Sequence, residues 1–195
     1  KPIDLITTGA VMINRMPDIY THEFYRICYE RSSPQGMLCQ LLPLKDITVP
    51  EFQSILKSCA INFPNVTLWY ISTERILMVA SKNSSPFELC ELLPAFTAIN
   101  TNLSFMAIDI ANIESLLAHL IMDDRSVRQF IGAVPENSDN NPIVEFSRER
   151  VKPDTGAVLS GILKSATVDF AQILDLHGSC SADSSDVISR IKSFN

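Results

Sequence analysis

The chain has 195 residues, and 46% of them are hydrophobic, a share that excludes an intrinsically disordered protein. Its 16 basic and 22 acidic side chains give a net charge of −6, whereas a protein that binds nucleic acid through broad electrostatic contacts is usually basic. We therefore expect a globular domain of mixed α and β structure that has no nucleic-acid partner.

The number of cysteines and the length of the apolar stretches indicate the cellular compartment of the chain. No signal peptide is visible, and no uncharged stretch reaches the roughly 18 apolar residues that span a bilayer, so we expect no membrane span in this chain. An odd number of cysteines without a CxxC pair favours buried, reduced thiols and predicts a cytoplasmic protein. Because the chain starts at Lys1 and enters a strand pattern almost at once, we expect an excerpt of a longer protein. Whether a membrane segment precedes Lys1 is left open. The cysteines are Cys28, Cys39, Cys59, Cys90 and Cys180.

The N-terminal part of the chain alternates between strand and helix patterns. The apolar run Ile3–Thr8 predicts a short buried strand. Thr21 predicts the N-cap of a helix that ends at about Arg31. Ser32–Gly36 predicts a turn, and Met37–Leu42 predicts a parallel strand covered on both faces. The apolar face of the helix is expected to consist of Phe24, Ile27 and Cys28.

A second helix and a hairpin follow. Thr48 and Glu51 stand three residues apart and predict a capping box. Val66–Ile71 and Arg75–Ala80 predict a β-hairpin whose turn is Ser72–Glu74. This order of elements predicts an open α/β sheet that ends in an antiparallel edge. The apolar face of the second helix is expected to be Phe52, Ile55, Leu56, Cys59, Ala60 and Phe63, before Pro64.

Helical patterns dominate after the connector Asn83–Pro86. A stripe at helical spacing predicts a helix with Gly132 as a stop, and residues 156–176 and 184–192 predict two more. Glu136–Asn141 predicts a polar loop. We therefore expect an α/β region over residues 1–82 and a mainly helical extension over residues 83–195 that packs on it. The stripe consists of Ile113, Leu116, Leu117, Leu120 and Ile121.

Several motifs, in the same order and spacing, resemble the spermidine synthase family, especially its bacterial members fused to membrane segments. The first motif is IDLI at residues 3–6 followed by IYTHEFY at residues 19–25, similar to the family's Y-D-V-I and L-Y-T-x-E-F-Y. The second is PQGMLCQLLP at residues 34–43 with FPNVTLWY at residues 63–70. The third is NSDNNPIVEF at residues 137–146, similar to N-T-D-D-x-P-x-x-E-F. Together these motifs cover about residues 1–150.

The resemblance implies a fold: the C-terminal half of a Rossmann-like methyltransferase-type sheet, with parallel strands, an antiparallel hairpin and a helical C-terminal extension. Ile3–Thr8 would then be the family's fourth strand, and strands one to three would lie outside this sequence. The family's glycine-rich turn and ribose-binding acid belong to those strands, and the six glycines here show no GxG spacing. An edge strand at Ile3–Thr8 predicts pairing with a second copy or with a missing N-terminal segment.

The resemblance also implies where chemistry would occur. The family's active-site acid, which helps to deprotonate the acceptor amine, falls on Gly9, and Thr7–Ile13 contains no ionisable group. Asp18 is the only acid nearby. We therefore assign no catalytic residue and expect no cofactor. The three histidines lack ligand spacing, so we expect no metal site.

Tyr20 and Gln40 match family positions near the substrate cleft and are the candidate substrate-binding residues. Gln40 lies inside an apolar strand, where an amide needs hydrogen-bond partners, so it could bond either to a neighbouring loop or to a ligand. Asp139 and Glu145 match the third motif, but we favour a structural role for them, as a loop cap and in hydrogen bonds at a strand end.

Two functions remain open from the sequence. The first is a catalytically silent spermidine synthase-like segment that acts as an interaction module, a truncated pseudoenzyme. The second is the C-terminal part of an active polyamine aminopropyltransferase whose nucleoside-binding half lies upstream. Thr7–Ile13 favours the first, while the framework motifs support family membership without deciding between the two.

Overall fold

A computed structural model describes residues 1–9, 16–83, 87–88, 96, 110, 112–146, 155–170 and 174–175. The chain forms two compact units. The first comprises residues 1–84 and 121–167, and the second comprises residues 85–120 and 168–195. The mainly helical extension over residues 83–195 that packs on the α/β region stays a prediction.

A five-stranded sheet, with strand order β1-β2-β4-β3-β6, is the main β structure. β1 and β2 pair in parallel, whereas β2 with β4 and β3 with β4 pair antiparallel. The predicted α/β class, with a parallel pair and an antiparallel hairpin in one sheet, is confirmed. A separate parallel pair, β5 with β7, belongs to the second unit. The strands are β1 (Ile3–Thr8), β2 (Ser32–Pro43), β3 (Asn65–Ser72), β4 (Arg75–Ser81), β5 (Phe87–Glu88), β6 (Leu120–Met122) and β7 (Leu174–Asp175).

Two of the helices begin where the sequence predicts. The side chain of Thr21 accepts a hydrogen bond from the Phe24 amide at the start of α1. Thr48 and Glu51 form both bonds of a capping box at the start of α2. None of the helices in the described part of the chain is long and apolar enough to cross a membrane. The helices are a 3-10 turn (Pro17–Tyr20), α1 (His22–Arg31), α2 (Val49–Ala60), α3 (Ile113–Leu117), α4 (Asp124–Ile131), α5 (Ile143–Phe146) and α6 (Thr155–Lys164).

The hydrophobic core of the first unit lies between one face of the sheet and the helices around α2. Alternate residues of β2 and β4 point into it, and every residue of the apolar face predicted for α2 is buried. The other face of β2, which carries Met37, Cys39 and Leu41, is only half-buried, so the expectation that this strand is covered on both faces is only partly met. The strand residues of the core include Leu38, Leu42, Leu68, Ile76 and Met78, and the helix residues include Tyr25, Phe52, Ile55 and Phe130.

Polar contacts fix α4 to the C-terminal end of α2 and to β3. Asp124 accepts a hydrogen bond from the Val66 amide at 3.0 Å and forms an ion pair with Arg128 at 2.8 Å. The Arg128 guanidinium also donates to the carbonyl oxygens of Ala60 and Phe63, at 3.0 and 3.1 Å. The Ala60 carbonyl lies at the negative end of the α2 dipole, so a cation is favourable there.

Three local predictions differ from the structure in the N-terminal part. β1 is exposed rather than buried, with Ile3 42% and Leu5 55% exposed, because it lies at the edge of the sheet. Ile27 is 53% exposed, since the buried side of α1 is centred on Tyr25 and Cys28. Ser32–Gly36 is not a turn before the strand but the first part of β2, where the register with β1 shifts.

The C-terminal helices are shorter than predicted. The stripe that begins at Ile113 is not one helix, because α3 ends at Leu117 and β6 follows it at the sheet edge. A new helix, α4, starts after Asp123, whose side chain accepts from the Ser126 amide at 2.8 Å. Gly132 ends α4 with φ of 61°, as predicted. α6 ends at Lys164 instead of continuing to residue 176, and the helix predicted over residues 184–192 lies outside the described residues.

Cys28 and Cys59 are buried free thiols, as predicted, and Cys39 is a half-buried one. Burial raises the pKa of Cys28 to about 11 and the pKa of Cys59 well above its usual value, so both thiols are uncharged at neutral pH. Cys90 and Cys180 lie outside the described residues.

Gly36 allows β2 to approach β1 closely, and its replacement tests the shifted register. A Cβ at Gly36 would lie 2.8 Å from the Ile3 carbonyl oxygen and equally close to Ser32 and to the Ser33 amide. Gly36→Ala should therefore lower the free energy of unfolding by about 1–3 kcal/mol in urea denaturation. Gly9→Ala is the matched control, because a Cβ there meets no atom within 4 Å. Equal stability of the two variants would contradict this packing.

Candidate functional site

Gln40 is buried in the middle of β2, and its side-chain amide forms a hydrogen bond at each end with another part of the chain. Its Oε1 accepts from the Tyr25 hydroxyl at 2.7 Å, and its Nε2 donates to the Ile19 carbonyl oxygen at 3.0 Å. The side chain thus joins the sheet to α1 and to the 3-10 turn. Of the two alternatives that the sequence leaves open for Gln40, these contacts correspond to the neighbouring loop.

Tyr20 closes the 3-10 turn and is completely buried. Burial raises the pKa of its hydroxyl to about 12. Burial also raises the pKa of Tyr25 well above its usual value, and the neighbouring Cys59, Tyr20 and Cys28 add to this effect. Both phenols are therefore neutral near pH 7. A role of Tyr20 and Gln40 in binding substrate stays a prediction.

Asn137, the first residue of the third motif, is the centre of a buried hydrogen-bond network. Its Nδ2 donates to the Tyr20 carbonyl oxygen at 2.9 Å, and its Oδ1 accepts from the Val144 amide at 3.2 Å. Its own backbone amide donates to Ser58 Oγ at 2.8 Å, and its carbonyl oxygen accepts from the His22 amide at 2.8 Å. One residue therefore connects the 3-10 turn, the start of α1, α2 and α5.

The rest of the motif turns back on itself directly after Asn137. The backbone of Ser138 pairs with that of Asn141 in a tight turn, with N–O distances of 3.3 and 3.0 Å. The Asp139 amide at the tip donates to the Glu23 carboxylate at 3.0 Å. Burial opposes ionisation of Glu23, but this hydrogen bond and the charges of His22 and Arg26 outweigh it and lower its pKa.

A polar cavity of about 120 Å³ lies between the 3-10 turn and this motif. Three carboxylate side chains, those of Asp18, Asp139 and Glu145, line it. Its volume is slightly below the roughly 150 Å³ of an engineered cavity that accepts benzene, and well below the roughly 300–1,000 Å³ of pockets for drug-sized ligands. The cavity is therefore large enough for a small cation, and its three acidic residues are exposed to solvent. Pro17, Thr21, Asn137 and Pro142 complete the lining.

The strand end at which the family acid would follow carries no charge. β1 ends at Thr8, and Gly9 follows it; the rest of that loop, residues 10–15, lies outside the described residues. The Thr8 hydroxyl is buried without a hydrogen-bond partner in the part of the chain that the structure describes. A neutral hydroxyl is no general base at neutral pH, so the described end of β1 offers no group that could deprotonate an amine.

The sequence missed that Asp18 meets the third motif. Asp18 and Asp139 stand more than a hundred residues apart, and both line the same cavity. The sequence singles out both segments, Asp18 as the only acid near the expected base position and the motif by its resemblance, but nothing in either segment shows that they are neighbours. No group of three or more His, Cys, Asp or Glu side chains in the described ranges is arranged to hold a metal ion.

Among comparisons with known proteins, the one with solved structures found a similarity. No family model matches the chain, and no curated protein matches it significantly. Among solved structures, the chain is similar to a probable spermidine synthase from Corynebacterium glutamicum ATCC 13032, with a TM-score of 0.46 and 18% identity. The match covers 70% of this chain and 47% of that one, so the chain spans about half the length of that protein. These comparisons therefore do not establish the family of this chain.

The lowered pKa of Glu23 predicts a pH dependence of stability. A carboxyl group whose pKa is lower in the folded than in the unfolded chain stabilises the fold above its unfolded pKa, near 4.3. That contribution is lost as the pH falls through the folded pKa. Wild type should therefore lose thermal stability relative to Glu23→Gln between about pH 5 and pH 3. Parallel melting-temperature curves for the two proteins over this range would contradict the interaction with Asp139.

Proposed function

We propose that this chain is a spermidine synthase-like module that does not transfer aminopropyl groups by itself and acts as a non-catalytic interaction module. The family assignment rests on the order and spacing of the sequence motifs. The observation that carries the lack of activity is the uncharged strand end at Thr8–Gly9, where the family has an acid.

General-base chemistry explains why this position matters. A protonated amine is no nucleophile, and its pKa near 10 keeps it protonated at neutral pH, so the family's reaction needs a proton acceptor beside the acceptor amine. Loss of a general base alone typically lowers a rate by about 10² to 10⁴.

The alternative is that the chain is the C-terminal part of an active polyamine aminopropyltransferase whose nucleoside-binding half lies upstream. One observation favours it. Asp18 lies in the 3-10 turn that follows the β1 loop, and it lines the same cavity as Asp139 and Glu145. Asp18 could then take the place of the missing base, and the surrounding carboxylates would favour a cationic amine.

An assay with labelled decarboxylated S-adenosylmethionine and several amines distinguishes the two functions. We expect the chain alone to show neither turnover nor tight binding of the donor. Asp18→Asn is compared with wild type, and Glu30→Gln, an exposed acid on α1, serves as the matched control.

Turnover by wild type and by Glu30→Gln that Asp18→Asn abolishes would overturn the proposal and identify Asp18 as the base. Turnover that persists in Asp18→Asn would also overturn it and would mean that the reacting groups lie elsewhere.

We propose that the interaction surface of this module is the outer edge of β1, which no other strand in the described part of the chain covers, and that a further β-strand pairs with it. The pairing of β1 and the exposure of its side chains support this proposal. β1 pairs with β2 along one side, and its exposed residues Ile3 and Leu5 point away from the core on the other face of the sheet. An edge strand without Lys or Pro in its length is open to pairing. The added strand would come from a second copy or from an N-terminal segment outside this sequence.

Association of the purified chain tests the edge. We expect wild type to self-associate with rising concentration in sedimentation, and Leu5→Lys to reduce this association, because a charge on an edge strand opposes pairing. Ile71→Lys, an exposed apolar position on β3, is the matched control. A monomer at all concentrations, with fast amide exchange at those β1 amides that do not bond to β2, would show that the edge is simply open.

A further inference from the structure

We propose that Asn137 is the positioning residue that assembles the acidic cavity. Asp18, Asp139 and Glu145 reach the cavity from three short segments, and none of these segments is a long helix or strand of the core. Short segments need side-chain contacts to hold them in place. Asn137 supplies such contacts to the segments of Asp18 and Glu145, and Asp139 lies two residues after it in the tight turn. This role concerns how the cavity is built, so it holds whether or not the cavity receives an amine.

The segment of Asp18 is held through its last carbonyl group. Asn137 Nδ2 donates to the Tyr20 carbonyl oxygen at 2.9 Å, at the end of the 3-10 turn that contains Asp18. The turn is held from the opposite side by Gln40, whose Nε2 donates to the Ile19 carbonyl oxygen. Two buried amides therefore hold consecutive carbonyl groups of the turn that contains Asp18.

The segment of Glu145 is held through its backbone amide groups. Asn137 Oδ1 accepts from the Val144 amide, one residue before Glu145 in α5. A four-residue helix contributes little stability of its own, so this bond is the main polar anchor that the structure gives α5. Asp139 lies two residues after Asn137 in the tight turn, and Glu23 holds its amide.

These contacts require an amide at position 137, because the side chain donates on one side and accepts on the other. A carboxylate can still accept from Val144, but it faces the Tyr20 carbonyl oxygen with a second acceptor. A leucine, whose side chain branches at the same position, can do neither. Asn137 is only 1% exposed, so water cannot replace the lost partners without a rearrangement.

Amide hydrogen exchange of the full chain tests the proposal with two variants. In Asn137→Leu, the amides of Thr21, His22 and Val144 should all exchange roughly tenfold faster or more. In Asn137→Asp at pH 8, Thr21 and His22 should exchange faster while Val144 stays protected. At pH 5 this difference should shrink, because a protonated carboxyl group donates to Tyr20 again. Each rate is compared with wild type at the same pH, which removes the contributions of His22 and of the cavity carboxylates.

The controls separate a positioning role from a general loss of stability. Asn140→Asp adds the same charge to the exposed tip of the turn and should leave all these rates unchanged. The amides of Leu77 and Val79 in the centre of β4 report global unfolding and should also stay unchanged. Equal acceleration of β4 and of the cavity segments, or wild-type rates in both Asn137 variants, would overturn the proposal.

Ser58→Ala covers the case in which neither Asn137 variant folds. It removes only the hydroxyl that accepts from the Asn137 amide, at 2.8 Å. We expect faster exchange at the same three amides, Thr21, His22 and Val144, with β4 unaffected. Unchanged exchange at these amides in Ser58→Ala would overturn the proposal.

Discussion

The first unit depends on the cost of burying an unpaired amide. Gln40 lies in an otherwise apolar strand and Asn137 lies in a loop, and both side chains are removed from water. A buried donor or acceptor without a partner costs about 1–3 kcal/mol, so each amide must find protein partners at both of its ends. For both residues, one of these partners is a carbonyl group of the 3-10 turn. The hydrogen bonds that these buried amides require therefore help to fix the position of that turn, in addition to hydrophobic packing.

The same network explains why α1 begins where it does. Thr21 caps the helix with its side chain, and the next amide, that of His22, donates to the carbonyl oxygen of Asn137. The first amides of a helix lack intrahelical partners, so one is satisfied by the cap and another by a residue more than a hundred positions away in sequence. The third motif is therefore part of the structure that supports α1, in addition to lining the cavity.

The cavity and the strand end differ in their chemistry. The described end of β1, at Thr8–Gly9, is neutral, whereas the cavity beside the 3-10 turn is lined by acidic residues. The acidic groups are held by backbone and amide contacts of their segments, and the buried tyrosines behind them stay neutral because burial raises their pKa.

The sequence by itself determined the elements whose signals are local. The caps at Thr21, Thr48 and Glu51, the hairpin of β3 and β4 and the stop at Gly132 depend on neighbouring residues, so short-range patterns were sufficient. The tertiary structure alone decided the exposure of β1, the break after α3 and the partners of Gln40. Each of these depends on which distant segments lie alongside: the place of a strand in the sheet order, the need for a strand to pair with β3, and a carbonyl group within reach of a buried amide. Asp18, Asp139 and Glu145 line one cavity for the same reason, since hydrogen bonds between distant segments position them and no spacing in the sequence records these bonds.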